Sequence, residues 1–188
     1  MRVISGLYKG RILKTVSDLS VRPVTDRVKQ TLFDMLANRV ELEGARVLDL
    51  FAGSGSLGIE ALSRGAAHVT FVEDNSRVAG FIEKNLELLG CDADADVIET
   101  DALSFVHRCR ESFELVFADP PYEFDQTPEI PRLIFEAKLV RPSGYLLIEH
   151  AKDLSFDSTP LYHAGPEKHF GRTVVTFFKH PARQTEEL

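Results

Sequence analysis

The sequence predicts an α/β fold: a mostly parallel seven-stranded sheet with one antiparallel edge strand, helices on both faces, and a small N-terminal β-hairpin. Three observations predict it. From Arg46 onward, short apolar runs alternate with segments of helical period, the pattern of a sheet whose crossovers are helices. Runs such as Arg46 to Phe51 and Phe113 to Ala118 are apolar through most of their length, as strands covered on both faces must be. The stretch Leu161 to Lys179 has no long helical period and reads as a hairpin, which brings an antiparallel strand to one edge.

The elements follow in order. Arg2 to Ser5 and Arg11 to Val16 read as short strands around Gly6-Leu7-Tyr8-Lys9-Gly10, a loop with glycine at both ends. Arg22-Pro23-Val24-Thr25 is extended, because a residue before proline avoids the helical region. Thr25 or Asp26 then caps a helix running to about Asn38, with Val28, Leu32, Met35 and Leu36 on one face. After the strand Arg46 to Phe51 come a helix over Leu57 to Arg64 stopped by Gly65, a strand over His68 to Glu73, and a helix over Ser76 to Leu89. That helix ends at Gly90 and turns Ala79, Ile82, Leu86 and Leu89 inward. A strand over Val97 to Thr100, a helix over Leu103 to Cys109 and the strand Phe113 to Ala118 follow. Glu129 to Lys138 reads as a helix, and Arg141-Pro142-Ser143-Gly144 as a turn into the strand Tyr145 to Glu149. No repeat or low-complexity segment interrupts this order. At 188 residues the chain fits one domain, 1–188, with 1–24 as a basic hairpin and linker extension.

Composition narrows the function classes. Two cysteines, Cys91 and Cys109, make no disulfide framework and no metal spacing, so both are expected as free thiols in a reducing cytoplasm. No apolar run reaches the roughly 18 residues of a membrane span, and the first residues do not read as a signal peptide. The net charge of −7 conceals an asymmetry: residues 1–30 carry +5 and the remainder −12. A basic N-terminal arm on an acidic body can bind nucleic acid, because phosphate contacts are local. The same charges also suit a solvated strand edge that resists aggregation.

Two turns carry the chemistry. In Asp49-Leu50-Phe51-Ala52-Gly53-Ser54-Gly55-Ser56-Leu57-Gly58, a buried strand meets a helix through the G-x-G-x-x-G spacing of a nucleotide-binding turn. Glu73, ending the next strand, is placed to accept hydrogen bonds from ribose hydroxyls. Asp49 precedes the first glycine by four residues, and a carboxylate there suits a cationic ligand such as S-adenosylmethionine better than a pyrophosphate. It could equally satisfy amides of its own turn. Asp101 ends a third strand, where it could meet an adenine amine or cap the following helix.

The second turn is Asp119-Pro120-Pro121-Tyr122, after the strand Phe113 to Ala118. Its prolines remove two backbone donors, leaving the Asp119 carboxylate and the Pro120 carbonyl as acceptors beside an aromatic ring. That set suits an exocyclic amine on a flat base, with Tyr122 stacking on the base. Such an amine is a weak nucleophile. Acceptors on its N–H groups favour the pyramidal, developing-positive nitrogen of a methyl-transfer transition state.

These motifs resemble those of the class I S-adenosylmethionine-dependent methyltransferases, with DLFAGSGSLG similar to their first motif and DPPY to the motif of those acting on base amines. Along nearly the whole chain, RVISGLYKGRILKTV, RPVTDRVKQTLFDML, DLFAGSGSLGIEALSRGA, FVE, FADPPY and FGRTVVTFF follow in the order seen in the bacterial 16S ribosomal RNA (guanine(966)-N2)-methyltransferases. The resemblance implies a Rossmann-like fold and methyl transfer to guanine N2 in 16S ribosomal RNA, free or in an assembling small subunit. A cytoplasmic monomer is the default expectation, and methyl transfer needs no metal. The resemblance also implies cofactor contacts from Asp49, Phe51, Gly53, Gly55, Glu73 and Asp101, and catalytic positioning by Asp119, Pro120, Pro121 and Tyr122. Substrate contacts would come from Arg22, Thr25, Asp26 and Arg27, with Lys9 and Arg11 as phosphate ligands. Phe170-Gly171-Arg172 reads as an ordinary hairpin turn. Three other functions fit parts of the pattern: a DNA amino-methyltransferase, a ribosome-assembly RNA-binding module, and an NAD-dependent oxidoreductase.

Overall fold

The computed structural model of the chain describes residues 1–15 and 25–181. Val16, the linker Arg22 to Val24 and the candidate contact Arg22 lie outside them. Helix α1 spans Asp26–Leu36 and leads into strand β1, Arg46–Leu50. Then come α2 (Ser56–Ser63), β2 (His68–Glu73), α3 (Ser76–Leu89), β3 (Ala95–Glu99), α4 (Ala102–Arg108) and β4 (Phe113–Ala118). Helix α5 (Ile130–Glu136) and strands β5 (Val140–Ala151), β6 (His163–Phe170) and β7 (Thr173–Lys179) complete the order.

The seven strands form one sheet in the order β3-β2-β1-β4-β5-β7-β6. Strands β1 to β5 pair in parallel, and β7 runs antiparallel to both β5 and β6. Alternation along the strands sends residues to two apolar layers. Phe71, Leu115 and Phe117 pack with Phe33 of α1, Ile59 of α2 and Ile82 of α3. Leu48, Val116 and Leu146 pack with Val106 of α4 and Ile134 of α5. Both faces are therefore covered, which is why β1 and β4 could be read as continuous apolar runs. Among the described residues no helix is long and apolar enough to cross a membrane.

Local chemistry sets the helix ends. Thr25 accepts from the Val28 amide at the start of α1, and Asn75 accepts from Arg77 and Val78 at the start of α3. Helix α3 buries the expected Ala79, Ile82, Leu86 and Leu89, together with Val78 and Asn85. Helix α1 differs from expectation: Phe33 and Lys29 are fully buried, whereas Val28 and Met35 are half-buried. The apolar stripe missed Lys29 because its partner, Glu60, arrives from α2 with Nζ 3.8 Å from the carboxylate.

Three further expectations need correction. The N-terminal hairpin has a single bridge, Arg2 to Ile12, in place of two strands. Five of its amides (Val3, Lys9, Gly10, Arg11 and Leu13) bond carbonyls within the hairpin, while helix side chains take others: Ile4 and Ser5 donate to Glu60, Tyr8 to Ser63, and Lys14 to Asn85. Arg141 to Gly144 is no turn outside the sheet. It lies within β5 as an irregularity, since pairing jumps from Phe113–Val140 to Leu115–Tyr145. Helix α5 is shorter than read, because Thr127–Glu129 forms a separate 3₁₀ turn ahead of it.

Candidate active site

The C-terminal ends of β1, β2, β3, β4 and β5 open onto a cavity of about 650 Å³. This is the end of an open parallel sheet where ligands bind. The glycine turn after β1 forms one wall. Phe51 holds φ +55°, a left-handed conformation rare for an aromatic residue, and its ring meets Phe124 edge-on at 5.1 Å. Gly55 takes φ +73° at the start of α2, a conformation that favours glycine. It does not line the cavity; Ile82 and Phe71 stand beside it. Gly58 serves packing: a Cβ there would lie 2.3 Å from the Phe71 ring. Gly58→Ala is therefore expected to cost about 1–3 kcal/mol of stability by denaturant unfolding, as overpacked cores do. A variant as stable as the parent would contradict that close approach.

Two carboxylates brace the turn. Asp49 is buried, lines the cavity and accepts from the Gly58 amide at 2.9 Å. Glu73 accepts from Gly53 at 2.8 Å through one oxygen and from Asn75 at 3.0 Å through the other. Asp49 thus holds its own turn and also lines the cavity. Asp101 caps α4 through Ser104 at 2.7 Å and lines the cavity as well.

Burial shifts these groups. Desolvation pushes the Asp49 carboxyl up to about 7, against the Gly58 hydrogen bond and with help from the nearby Glu73 charge. Desolvation also raises Glu73, with backbone amides of Asn75 and Gly53 opposing and neighbouring Asp74 adding to the rise. A carboxyl raised in the fold contributes stability below its unfolded pKa of about 4, and that contribution is lost as pH rises through about 7. In that window Asp49 should cost about 1.4 kcal/mol per pH unit. Asp49→Asn is expected to melt above the parent at pH 8 without ligand and alongside it near pH 4. Equal differences in Tm at both pH values would sink the assignment.

The opposite wall is the turn after β4, where Asp119, Pro120, Pro121 and Tyr122 all line the cavity. The Asp119 amide lies 3.4 Å from the Leu50 carbonyl, tying this turn to the end of β1. Phe124 closes the turn by donating its amide to the Pro121 carbonyl at 2.9 Å. The half-exposed Tyr122 bonds Thr173 through its hydroxyl. Phe51, Gly53, Asp49, Glu73 and Asp101 therefore share one cavity with the DPPY turn. Glu149 and Phe124 line it too and were not singled out. Glu149 carries the signal that exposed Glu73 and Asp101, an acid at the C-terminal end of a strand.

The expected substrate contacts are not brought to this cavity. Helix α3 runs away from it for 14 residues, about 20 Å. Arg11 donates to the carbonyl of Leu88 at the far end of that helix, and Lys9 belongs to the same turn. Thr25 caps α1, Asp26 pairs with Arg2 at 2.8 Å, and Arg27 is exposed; none of the three lines the cavity. Two exposed cations, Lys152 and Arg172, adjoin the residue that holds Tyr122. The Lys152 amide bonds the Arg172 carbonyl, next to the Thr173 that holds Tyr122.

The donor set tests what ligand fits. Among the described residues, seven acidic ones line the cavity (Asp49, Glu73, Asp74, Asp101, Asp119, Glu123 and Glu149), and no described Lys, Arg or His lines it. A pyrophosphate would be repelled there, whereas the ammonium and sulfonium of S-adenosylmethionine fit. Ser56 adds a buried hydroxyl without a hydrogen-bond partner in the lining. Among the described residues no three His, Cys, Asp or Glu side chains are grouped to hold a metal.

Known proteins share this architecture. A solved structure described as "Putative methyltransferase yhhF from Escherichia coli" matches with a TM-score of 0.84 and 32% identity, over 97% of this chain and 99% of that one. "Ribosomal RNA small subunit methyltransferase D" of Haemophilus influenzae is 40% identical over 81% of this chain and 80% of its own length. "Putative rRNA methyltransferase YlbH" of Bacillus subtilis is 41% identical over 85% of this chain and 87% of its own. Sheet order, cavity and these neighbours define a class I, Rossmann-like methyltransferase. More particularly, the chain belongs to the family described as conserved hypothetical protein 95, whose model matches residues 1–179.

Proposed function

We propose that this protein transfers a methyl group from S-adenosylmethionine to the exocyclic N2 of a guanine in 16S ribosomal RNA, within the small subunit or an assembly intermediate in the cytoplasm. The observation that carries this reading is the placement of the acid-braced glycine turn and the DPPY turn on opposite walls of one cavity. Relatives named as ribosomal RNA methyltransferases support the substrate class.

In this reading Asp49, Glu73 and Asp101 hold the cofactor with the glycine turn, whose Gly55 shapes the backbone. Bound there, the cofactor would supply an electrophilic methyl group and leave as S-adenosylhomocysteine, with the surplus N2 proton passing to water. Asp119 and the Pro120 carbonyl accept the N–H groups of the target amine and so favour its pyramidal, developing-positive form. Tyr122 offers a ring face to the base, held at its hydroxyl by Thr173. The remaining contribution is orientation of nitrogen and methyl in line.

The test is transfer from labelled S-adenosylmethionine to unmethylated small-subunit particles, with free ribosomal RNA and duplex DNA alongside. Label at one guanine N2 is expected, and label on DNA alone would overturn the substrate. Lys152 and Arg172 are expected to act as phosphate contacts. Replacing both with alanine should raise KM for RNA and reduce the log–log salt slope by roughly two. Lys9→Ala and Arg11→Ala should change KM less; the reverse ranking would return the RNA path to the N-terminal hairpin.

A further inference from the structure

We propose that Glu149 selects guanine by accepting its N1–H, beside the Asp119 that receives the N2 amine; this rests on the guanine-N2 reading above. Register places the two acids together. Strand β4 pairs with β5 up to Ala118–Ile148, where parallel backbones lie about 4.8 Å apart. Asp119 is the first residue past that pair at the end of β4, and Glu149 is the next residue of β5. Within β5, Glu149 follows Leu147, which shares a core layer with Phe117 of β4.

The cavities make the same junction. Beyond the DPPY turn, the 650 Å³ cavity adjoins a second space of about 320 Å³. Pro120, Pro121, Tyr122, Phe124 and Glu149 line both. Glu149 therefore stands where a base inserted from the second space would bring its Watson–Crick edge against Asp119.

Base chemistry completes the inference. Guanine presents N1–H directly beside its N2 amine, a run of donors only. Adenine and cytosine each place a ring-nitrogen acceptor beside the amine. Two adjacent carboxylates complement the first pattern and repel the second, and a site built around such hydrogen bonds rejects mismatched analogues strongly. No proton is exchanged with Glu149 in this role; it positions and discriminates.

2-Aminopurine separates this role from a structural one. It keeps the N2 amine and replaces N1–H with an acceptor. RNA carrying guanine or 2-aminopurine at the target position is compared by kcat/KM for the parent and for Glu149→Gln, with S-adenosylmethionine binding measured by calorimetry. The parent should prefer guanine by about 10²-fold or more. Glu149→Gln, whose amide can donate to the N1 acceptor, should narrow that ratio at least about tenfold with cofactor affinity unchanged. An unchanged ratio overturns the proposal. If Glu149→Gln does not fold, Glu149→Asp withdraws the carboxylate while keeping its charge, and kcat/KM on guanine should fall with cofactor binding intact; an unchanged value overturns the proposal. Parent enzyme that labels no guanine N2 overturns the underlying function instead.

Discussion

Replacing Asp119 with alanine is expected to lower kcat for methyl transfer by about 10²–10³-fold, the usual loss when one preorganised electrostatic partner of a transition state is removed. The exocyclic amine attacks poorly because its lone pair is spread into the base. An acceptor on its N–H group becomes more favourable as the nitrogen turns tetrahedral and positive, so its removal falls on kcat more than on binding. The turn itself should survive. Its backbone is held by Pro120 and Pro121, by the Asp119 amide near Leu50, and by the Phe124 amide on the Pro121 carbonyl. Single-turnover transfer and cofactor calorimetry therefore give separate readouts, with affinity for S-adenosylmethionine expected within a few-fold of the parent. Asp119→Asn keeps an acceptor oxygen without the charge and should fall between the two. Activity of Asp119→Ala within tenfold of the parent would remove this residue from the mechanism.

Glu60→Ala is expected to give the largest stability loss, about 3–5 kcal/mol, because it breaks a buried ion pair and leaves one charge behind. Glu60 and Lys29 both have fully buried side chains. The carboxylate accepts from the Ile4 amide at 2.8 Å, the Ser5 amide at 3.0 Å and Arg64 Nε at 2.9 Å. It also faces Lys29 Nζ, whose pKa burial pushes down while Glu60 opposes that shift. One side chain thus joins the N-terminal segment, α1 and α2. The double change Lys29→Met with Glu60→Leu should recover much of the loss, since replacing both ions avoids an unpaired charge. It should not recover all, because the Ile4 and Ser5 amides keep no acceptor, at about 1–3 kcal/mol for each buried group. Urea denaturation of the three proteins tests this order. A loss below about 1 kcal/mol for Glu60→Ala would mean that water replaces the carboxylate at the junction.

The order of strands and helices was legible because each element depends on near neighbours in sequence. The apolar run of β2, the inward stripe of α3 and its stop at Gly90 mark these elements without reference to the rest of the chain. The two chemical turns were legible for the same reason: glycine spacing and paired prolines restrict the backbone locally. The misreadings arose where distant groups decide. Lys29 lay outside the apolar stripe read for α1, and only Glu60 from α2 accounts for its burial; Arg141 to Gly144 looked like a turn until pairing with β4 drew it into β5. The N-terminal hairpin was read from its glycines, yet α2 and α3 take the amides of Ile4, Ser5, Tyr8 and Lys14.

Charge shows the same division for the site. By itself the sequence determined an α/β chain with an acid-flanked glycine turn, an amine-accepting DPPY turn and a basic N-terminal arm, since spacing, propensity and composition are properties of short segments. Only the tertiary structure decided that both turns face one acidic cavity and that Glu149 stands beside Asp119. It alone placed Arg11 at the far end of α3 and the Lys152–Arg172 pair near Tyr122. The reason is physical: sheet order and register bring together residues separated by dozens of positions, and a Coulomb or hydrogen-bond energy depends on that distance in space.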